Sequence, residues 1–150
     1  MLKKQFNLFV FVIVALITIN SGYAQTATVV GKIISKTDAD QLFGPVLQSV
    51  SISSAELQNL AQKTPDHILF NFINGQLVIL NGTRATALYG STASVSPSTT
   101  FHLYSTSQLL QLIKLGQSAT TNVELRKNVL SITNGSETLE YATICPPNCN

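Results

Sequence analysis

Three kinds of side chain in this sequence could do chemistry: scattered carboxylates, two imidazoles at His67 and His102, and two thiols at Cys145 and Cys149. Glu137 and Glu140 could serve as a glycosidase pair, which needs carboxyl groups roughly 5 to 9 Å apart. They flank Leu139 near a turn, however, and are expected on the outer side of a hairpin. A triad of Ser91, His102 and Asp66 can be written down, but Ser91 follows Gly90 with no second glycine and no strand-to-helix turn behind it. Asp66 and His67 are neighbours at the start of a strand, where successive side chains point to opposite faces. Asp38 and Asp40 form D-x-D without the later glycine and glutamate of a calcium loop, and are read as carboxylates in the first turn of a helix. The sequence holds no H-E-x-x-H, no P-loop and no dinucleotide fingerprint. It therefore assigns no catalytic residue, no cofactor and no metal ligand.

The thiols close the chain in "ICPPNCN". C-x₃-C is not the redox C-x-x-C motif, and a zinc site would need both histidines to converge on the tail. A Cys145–Cys149 disulfide is the expectation if the chain is oxidised. A bridge across so short a loop contributes on the order of 2 kcal/mol and would mainly knot the tail.

The ends and the charge decide where that chemistry could operate. Lys3 and Lys4 precede an apolar run over residues 8–19, and Gly22 and Ala24 place small side chains before a cleavage point. A membrane span needs roughly 20 apolar residues, so this run reads as a signal peptide, residues 1–24, rather than an anchor. Export places the mature chain, 25–150, in the periplasm or outside the cell, with no transmembrane span after cleavage. The net charge of +2 comes from nine Lys and Arg against seven Asp and Glu, and Lys3 and Lys4 supply the whole excess. Seven then oppose seven, without a run of either sign. Phosphate backbones are held by several cations at once, so a nucleic-acid partner is not expected.

About 126 residues suit one domain. Within it two helix starts correspond. In "ISSAELQNLAQK", Ser53 and Glu56 are spaced as a capping box, Ile52 and Leu57 as a hydrophobic staple, and Leu57, Leu60 and Ala61 fall on one face. In "YSTSQLLQLIKLG", Ser105 with Gln108, Tyr104 with Leu109, and the stripe Leu109, Leu112 and Ile113 repeat each feature fifty-two positions later, with Gly116 as the stop. Strands with matching alternation follow each helix. Ile68, Phe70 and Phe72 turn at Asn74-Gly75 into Leu77 and Ile79, and Val123 and Leu125 turn near Lys127-Asn128 into Leu130 and Ile132. A second Asn-Gly, at Asn81-Gly82 and at Asn134-Gly135, then predicts a further hairpin in each copy, with both residues at positive φ.

The pattern predicts an α+β fold: antiparallel-rich sheets with two quasi-equivalent strand–helix–strand–strand–strand halves, near residues 46–89 and 100–144, and helices packed on one face. The continuous apolar run over residues 77–80 predicts a strand covered on both sides. "GSTASVSPSTT", residues 90–100, reads as an exposed join. The doubled order is similar in topology to the halves of sliding-clamp domains, a likeness that carries no function.

Two function classes follow. One is a small exported binding or structural module, whose partner would be an envelope or extracellular protein, a glycan, or a second copy. The other is a hydrolase-like enzyme with a site in the cleft between the halves, using His67, His102 or Glu124. A binding module should leave an aromatic or apolar patch exposed, with Tyr89, Tyr104 and Tyr141 the first residues to inspect. An enzyme should bring two or more ionisable side chains together in a concavity.

Overall fold

A computed structural model describes residues 28–145 of the chain; the expected leader and Cys149 lie outside the described residues. In chain order the elements are β1 (Lys32–Ser35), α1 (Lys36–Phe43), β2 (Gln48–Ser53), α2 (Ser54–Ala61), β3 (His67–Ile73), β4 (Gln76–Asn81) and β5 (Ala87–Tyr89). They continue with β6 (Phe101–Ser105), α3 (Thr106–Gly116), β7 (Thr120–Leu125), β8 (Leu130–Asn134), β9 (Glu137–Glu140) and β10 (Thr143–Cys145). The strands form two five-stranded antiparallel sheets, β1-β9-β8-β7-β2 and β10-β6-β3-β4-β5. The fold is α+β, as the pattern predicts. No helix among the described residues is long and apolar enough to cross a membrane.

The two halves interlock. The unit β2-α2-β3-β4-β5 lays its first strand in the first sheet and the other three in the second. The unit β6-α3-β7-β8-β9 does the reverse, so neither half can complete a sheet alone. Equivalent hydrogen bonds tie each helix start to the opposite half. Ser54 donates from its amide to Ala119 O at 2.9 Å and from Oγ to Ser118 O at 2.7 Å. Thr106 donates from its amide to Asp66 O at 3.0 Å and from Oγ1 to Thr64 O at 2.6 Å. A buried helix terminus leaves amides needing acceptors, and here each half supplies them to the other.

Leu57 and Leu109, the staple residues of the two helices, are fully buried in one central cluster. Ile68, Phe70, Leu77 and Ile79 reach it from the second sheet, and Val123, Ile132 and Leu139 from the first. Val78 and Leu80 point the other way, into a smaller cluster with Leu69, Phe101, Leu103 and Cys145. Strand β4 is therefore apolar on both faces because both are covered. Residues 90–100 are mostly exposed, yet Val95 packs on that second cluster. Arg84 anchors the same loop, donating to Ser96 O and Thr99 O at 3.1 and 2.9 Å with its guanidinium 5.1 Å from the Phe101 ring centre.

Local details depart from the expected symmetry. Ser53 caps α2, its Oγ accepting from the Glu56 amide at 3.1 Å. Ser105 occupies the same position on α3 but makes no side-chain cap, because its Oγ accepts instead from the Val30 amide at 2.8 Å. Gly116 is the last helical residue rather than the stop, and Gln117 takes the left-handed C-cap at φ 52°. Asn74-Gly75 is a two-residue turn with both φ positive, 52° and 79°. The other two Asn-Gly pairs are not: Asn81 and Asn134 end strands in extended conformation, and only Gly135 has positive φ, 59°. Gly135 also lies so close to the α3 terminus that a Cβ there would overlap the Gly116 carbonyl.

Candidate functional site

The outward face of the first sheet follows from strand alternation. Val123, Ile132 and Leu139 face the core, so Glu124, Ser131, Thr133, Thr138 and Glu140 face away from it. All five are nevertheless buried. The cause is topological. Strands β1 and β2 run in the same direction at opposite edges of the sheet, so the chain joining them must cross the three strands between. That crossing is α1, which packs on β1 and β9 and carries Ala39 fully buried. Ser35 caps it, accepting from the Asp38 amide at 3.1 Å.

Arg126, at the end of β7, is 1% exposed and organises this face. Its Nε donates to Ser131 Oγ at 3.0 Å, and its Nη2 donates to Asp40 at 2.8 Å and to Glu124 at 3.2 Å. Its Nη1 donates to the carbonyl of Gly44, just past α1. A buried ion costs several kcal/mol to desolvate, and the fixed fork of a guanidinium offsets that by satisfying several acceptors at once. Asp40 is not a first-turn carboxylate, as the sequence suggests, but the clasp between helix and sheet. Hydrogen bonds from Lys36 and Arg126 hold its carboxyl below the usual range.

Glu140 is the exception in a well-satisfied cluster. It is fully buried beneath the helix rather than on an open hairpin face. Its Oε1 accepts from Ser131 Oγ and lies 4.0 Å from Arg126 Nε, while Oε2 has no hydrogen-bond partner. Burial pushes its carboxyl up to about 7, with Glu124 adding to the rise and Ser131 and Arg126 opposing it. Three carboxylates, Asp40, Glu124 and Glu140, thus surround one guanidinium. Tyr104 lies fully buried on the core side, its hydroxyl donating to Leu130 O and, at 3.5 Å, to Leu139 O. Burial, then the charge of Glu140, pushes that phenol upward.

Beside the cluster opens a hollow of about 240 Å³ lined by Phe43, His102, Asn128, Val129, Leu130, Tyr141, Ala142 and Ile144. Phe43, Leu130 and Tyr141 are the chain neighbours of Gly44, Ser131 and Glu140, so the two features share a wall. Phe43 and Tyr141 meet edge to face at 5.5 Å, and Tyr141 and Ile144 are 53% and 42% exposed. Burial lowers the basicity of His102. Among the described residues no carboxylate or ammonium lines this hollow.

The residues named from sequence do not assemble into one site. Asp66 and His67 line a separate hollow of about 220 Å³ with Lys63, Thr64, Asn81 and Thr83. His102 is in the hollow beside Tyr141, and Glu124 is sealed against Arg126. Ser91 lies in the loop between the halves, its Oγ accepting from the Ala93 amide at 3.3 Å, so no triad forms with His102 and Asp66. Glu137 and Glu140 are three apart on β9 and therefore face opposite sides of the sheet. Cys145 is buried in the smaller apolar cluster, and Cys149, its expected disulfide partner, lies outside the described residues. Among the described residues no three His, Cys, Asp or Glu are grouped to hold a metal ion. Comparison with known proteins finds no matching family model, no similar curated protein and no similar solved structure.

Proposed function

We propose that the chain is an exported binding module of the cell envelope or extracellular space, and that the hollow between Phe43, His102 and Tyr141 receives a neutral group with an apolar face. The observation that carries this reading is the unburied aromatic edge. Tyr141 and Ile144 stay open to solvent in a concave site that among the described residues contains no charged carboxylate or amine. Large apolar side chains exposed together mark binding surfaces, and an uncharged lining disfavours ionic ligands. His102 and Asn128 add hydrogen-bonding groups at the rim that suit hydroxyls or amides. A sugar ring of an envelope glycan, which offers a CH face and hydroxyls together, fits these features. The signal-peptide reading of residues 1–24 supports the location, and the balanced charge of the remainder supports a neutral partner.

A second reading, a hydrolase-like enzyme, is favoured by one observation: Lys63, Asp66 and His67 all line the other hollow. Titrating the ¹⁵N-labelled protein with neutral oligosaccharides separates the two. Shifts confined to Phe43, His102, Tyr141 and Ile144, lost in Tyr141→Ser, are expected. Shifts at Lys63 to His67 accompanied by cleavage of the sugar would overturn the binding reading in favour of the enzyme.

A further inference from the structure

The crossover helix is held to a face whose charge is not balanced. Asp40, Glu124 and Glu140 share Arg126, and the buried Oε2 of Glu140 has no donor. Among the described residues α1 is the element that crosses this face. Beyond the Ser35 cap at its start, its polar ties to the sheet among the described residues are Arg126 to Asp40, Arg126 to the Gly44 carbonyl, and the Lys36 amide to Ser136 O at 2.8 Å.

We propose that α1 is a pH-responsive strap, closed over the first sheet while Glu140 is protonated and loosened when Glu140 ionises. An ionised Glu140 would add a second buried carboxylate charge beside Glu124 for the one Arg126 to balance, and hydrating it requires water to enter under α1. This inference goes beyond the binding reading and does not depend on it.

The groups facing Glu140 come from every neighbouring element. Glu124 on β7 disfavours its ionisation and Arg126 favours it. Asp40 on α1 touches Arg126 from above, and Lys36 pairs with Asp40 at 3.0 Å on the outside. Lys32 is the register partner of Glu140 on β1 but is exposed. Tyr104 lies on the core side, its hydroxyl hydrogen-bonded to the carbonyls of Leu130 and Leu139.

The sign is fixed by the raised carboxyl. Below the ordinary glutamate range both the closed and the loosened strap hold the proton, and closure is strongest. As pH rises from about 4.5 to about 7 only the loosened form gives up its proton, so closure weakens throughout that window and levels off above it. His102, whose basicity burial lowers, acts oppositely on global stability: its contribution is full above its ordinary value and is lost as pH falls. A readout local to α1 is therefore needed.

Hydrogen exchange of the amides of residues 36–44, corrected for intrinsic rate, supplies it. Between about pH 5.5 and 7.5 their protection should fall roughly ten- to thirtyfold, while β3 and β4 keep theirs. Glu140→Gln, which cannot ionise, should flatten the change to less than about twofold. Protection of α1 that does not change with pH, an equal fall in β3 and β4, or an undiminished fall in Glu140→Gln would each overturn the strap. Should that variant fail to fold, the carboxyl-carbon NMR titration of Glu140 in the wild-type protein decides. A midpoint near 7 supports the proposal and one near 4.5 overturns it.

Discussion

On the second sheet the face turned away from the centre carries Leu69, Val78, Leu80, Phe101 and Leu103, while on the first it carries Glu124, Ser131, Thr133, Thr138 and Glu140. Both faces are buried. The apolar one gains stability simply by leaving water, at roughly 25 cal/mol per Å² of area removed, and this gain has no dependence on protonation. The polar one needs a partner for every donor and acceptor, and one arginine and a short helix supply most of them but leave Glu140 Oε2 without one. The lesson is that one layered fold can combine an unconditional cover with a conditional one. The conditional cover, α1, also forms part of the wall of the aromatic hollow through Phe43.

The largest effect should come from removing the arginine. Arg126→Ala leaves Glu124 and Glu140 buried without a counter-charge and should cost about 3 to 5 kcal/mol in urea unfolding. Leu80→Ala on the other face should cost a similar about 2 to 5 kcal/mol through lost burial and a cavity. The comparison is sharpened by repeating both near pH 5 and pH 8. The Arg126→Ala penalty should grow at the higher pH, where Glu140 is ionised, and the Leu80→Ala penalty should not change. Equal pH behaviour in the two variants would break the contrast.

Next in size is the pair of asparagines that look alike in sequence. Asn134 is fully buried and its amide nitrogen donates to Ser54 Oγ at 2.9 Å and Thr121 Oγ1 at 2.8 Å, while its Oδ1 accepts from the Ser118 amide at 2.9 Å. Asn81 serves its own loop, donating to Thr83 Oγ1 and accepting from the Thr86 amide. Asn134→Ala should therefore cost about 2 to 3 kcal/mol, and Asn81→Ala less than about 1, by thermal or chemical unfolding. A smaller effect is expected at the helix starts. Ser53→Ala should cost roughly 1 kcal/mol and fray the first turn of α2, as a lost cap does. Ser105→Ala should release the Val30 amide and leave the start of α3 unchanged, which amide exchange at Val30 and Gln108 can read.

Much of the architecture was legible in the amino-acid pattern, for identifiable reasons. The Ser53 cap, the staple spacings and the Leu57 and Leu109 stripes depend on contacts within one helical turn, so spacing alone places both helices even though Ser105 makes no side-chain cap. Alternation likewise places Phe70, Ile79, Val123 and Ile132 on inward faces. The exchange of first strands between sheets was not legible, because strand pairing depends on contacts distant in sequence. The same gap hid the charge cluster. Glu124, Ser131, Thr133, Thr138 and Glu140 alternate with core residues as a solvated face would, and only the route of β1-α1-β2 across them reveals that they are covered. Asp40 and Arg126, eighty-six positions apart, carry no local signal of their contact. For the hollow, Tyr141 was one of three tyrosines expected at an exposed patch, of which Tyr104 is instead fully buried and Tyr89 lies elsewhere, whereas Phe43 gave no sign that it would stand beside Tyr141.

The central claim is that Arg126 and Glu140 are energetically one unit under α1. A double-mutant cycle with Arg126→Met and Glu140→Gln, followed by urea unfolding near pH 8, tests it most directly. Once the arginine is gone the buried carboxylate has no compensation, so adding Glu140→Gln to Arg126→Met should recover at least about 1 kcal/mol of the lost stability. If the two penalties instead add to within about 0.5 kcal/mol, the residues act independently and the charged face is not the coupled cover described here.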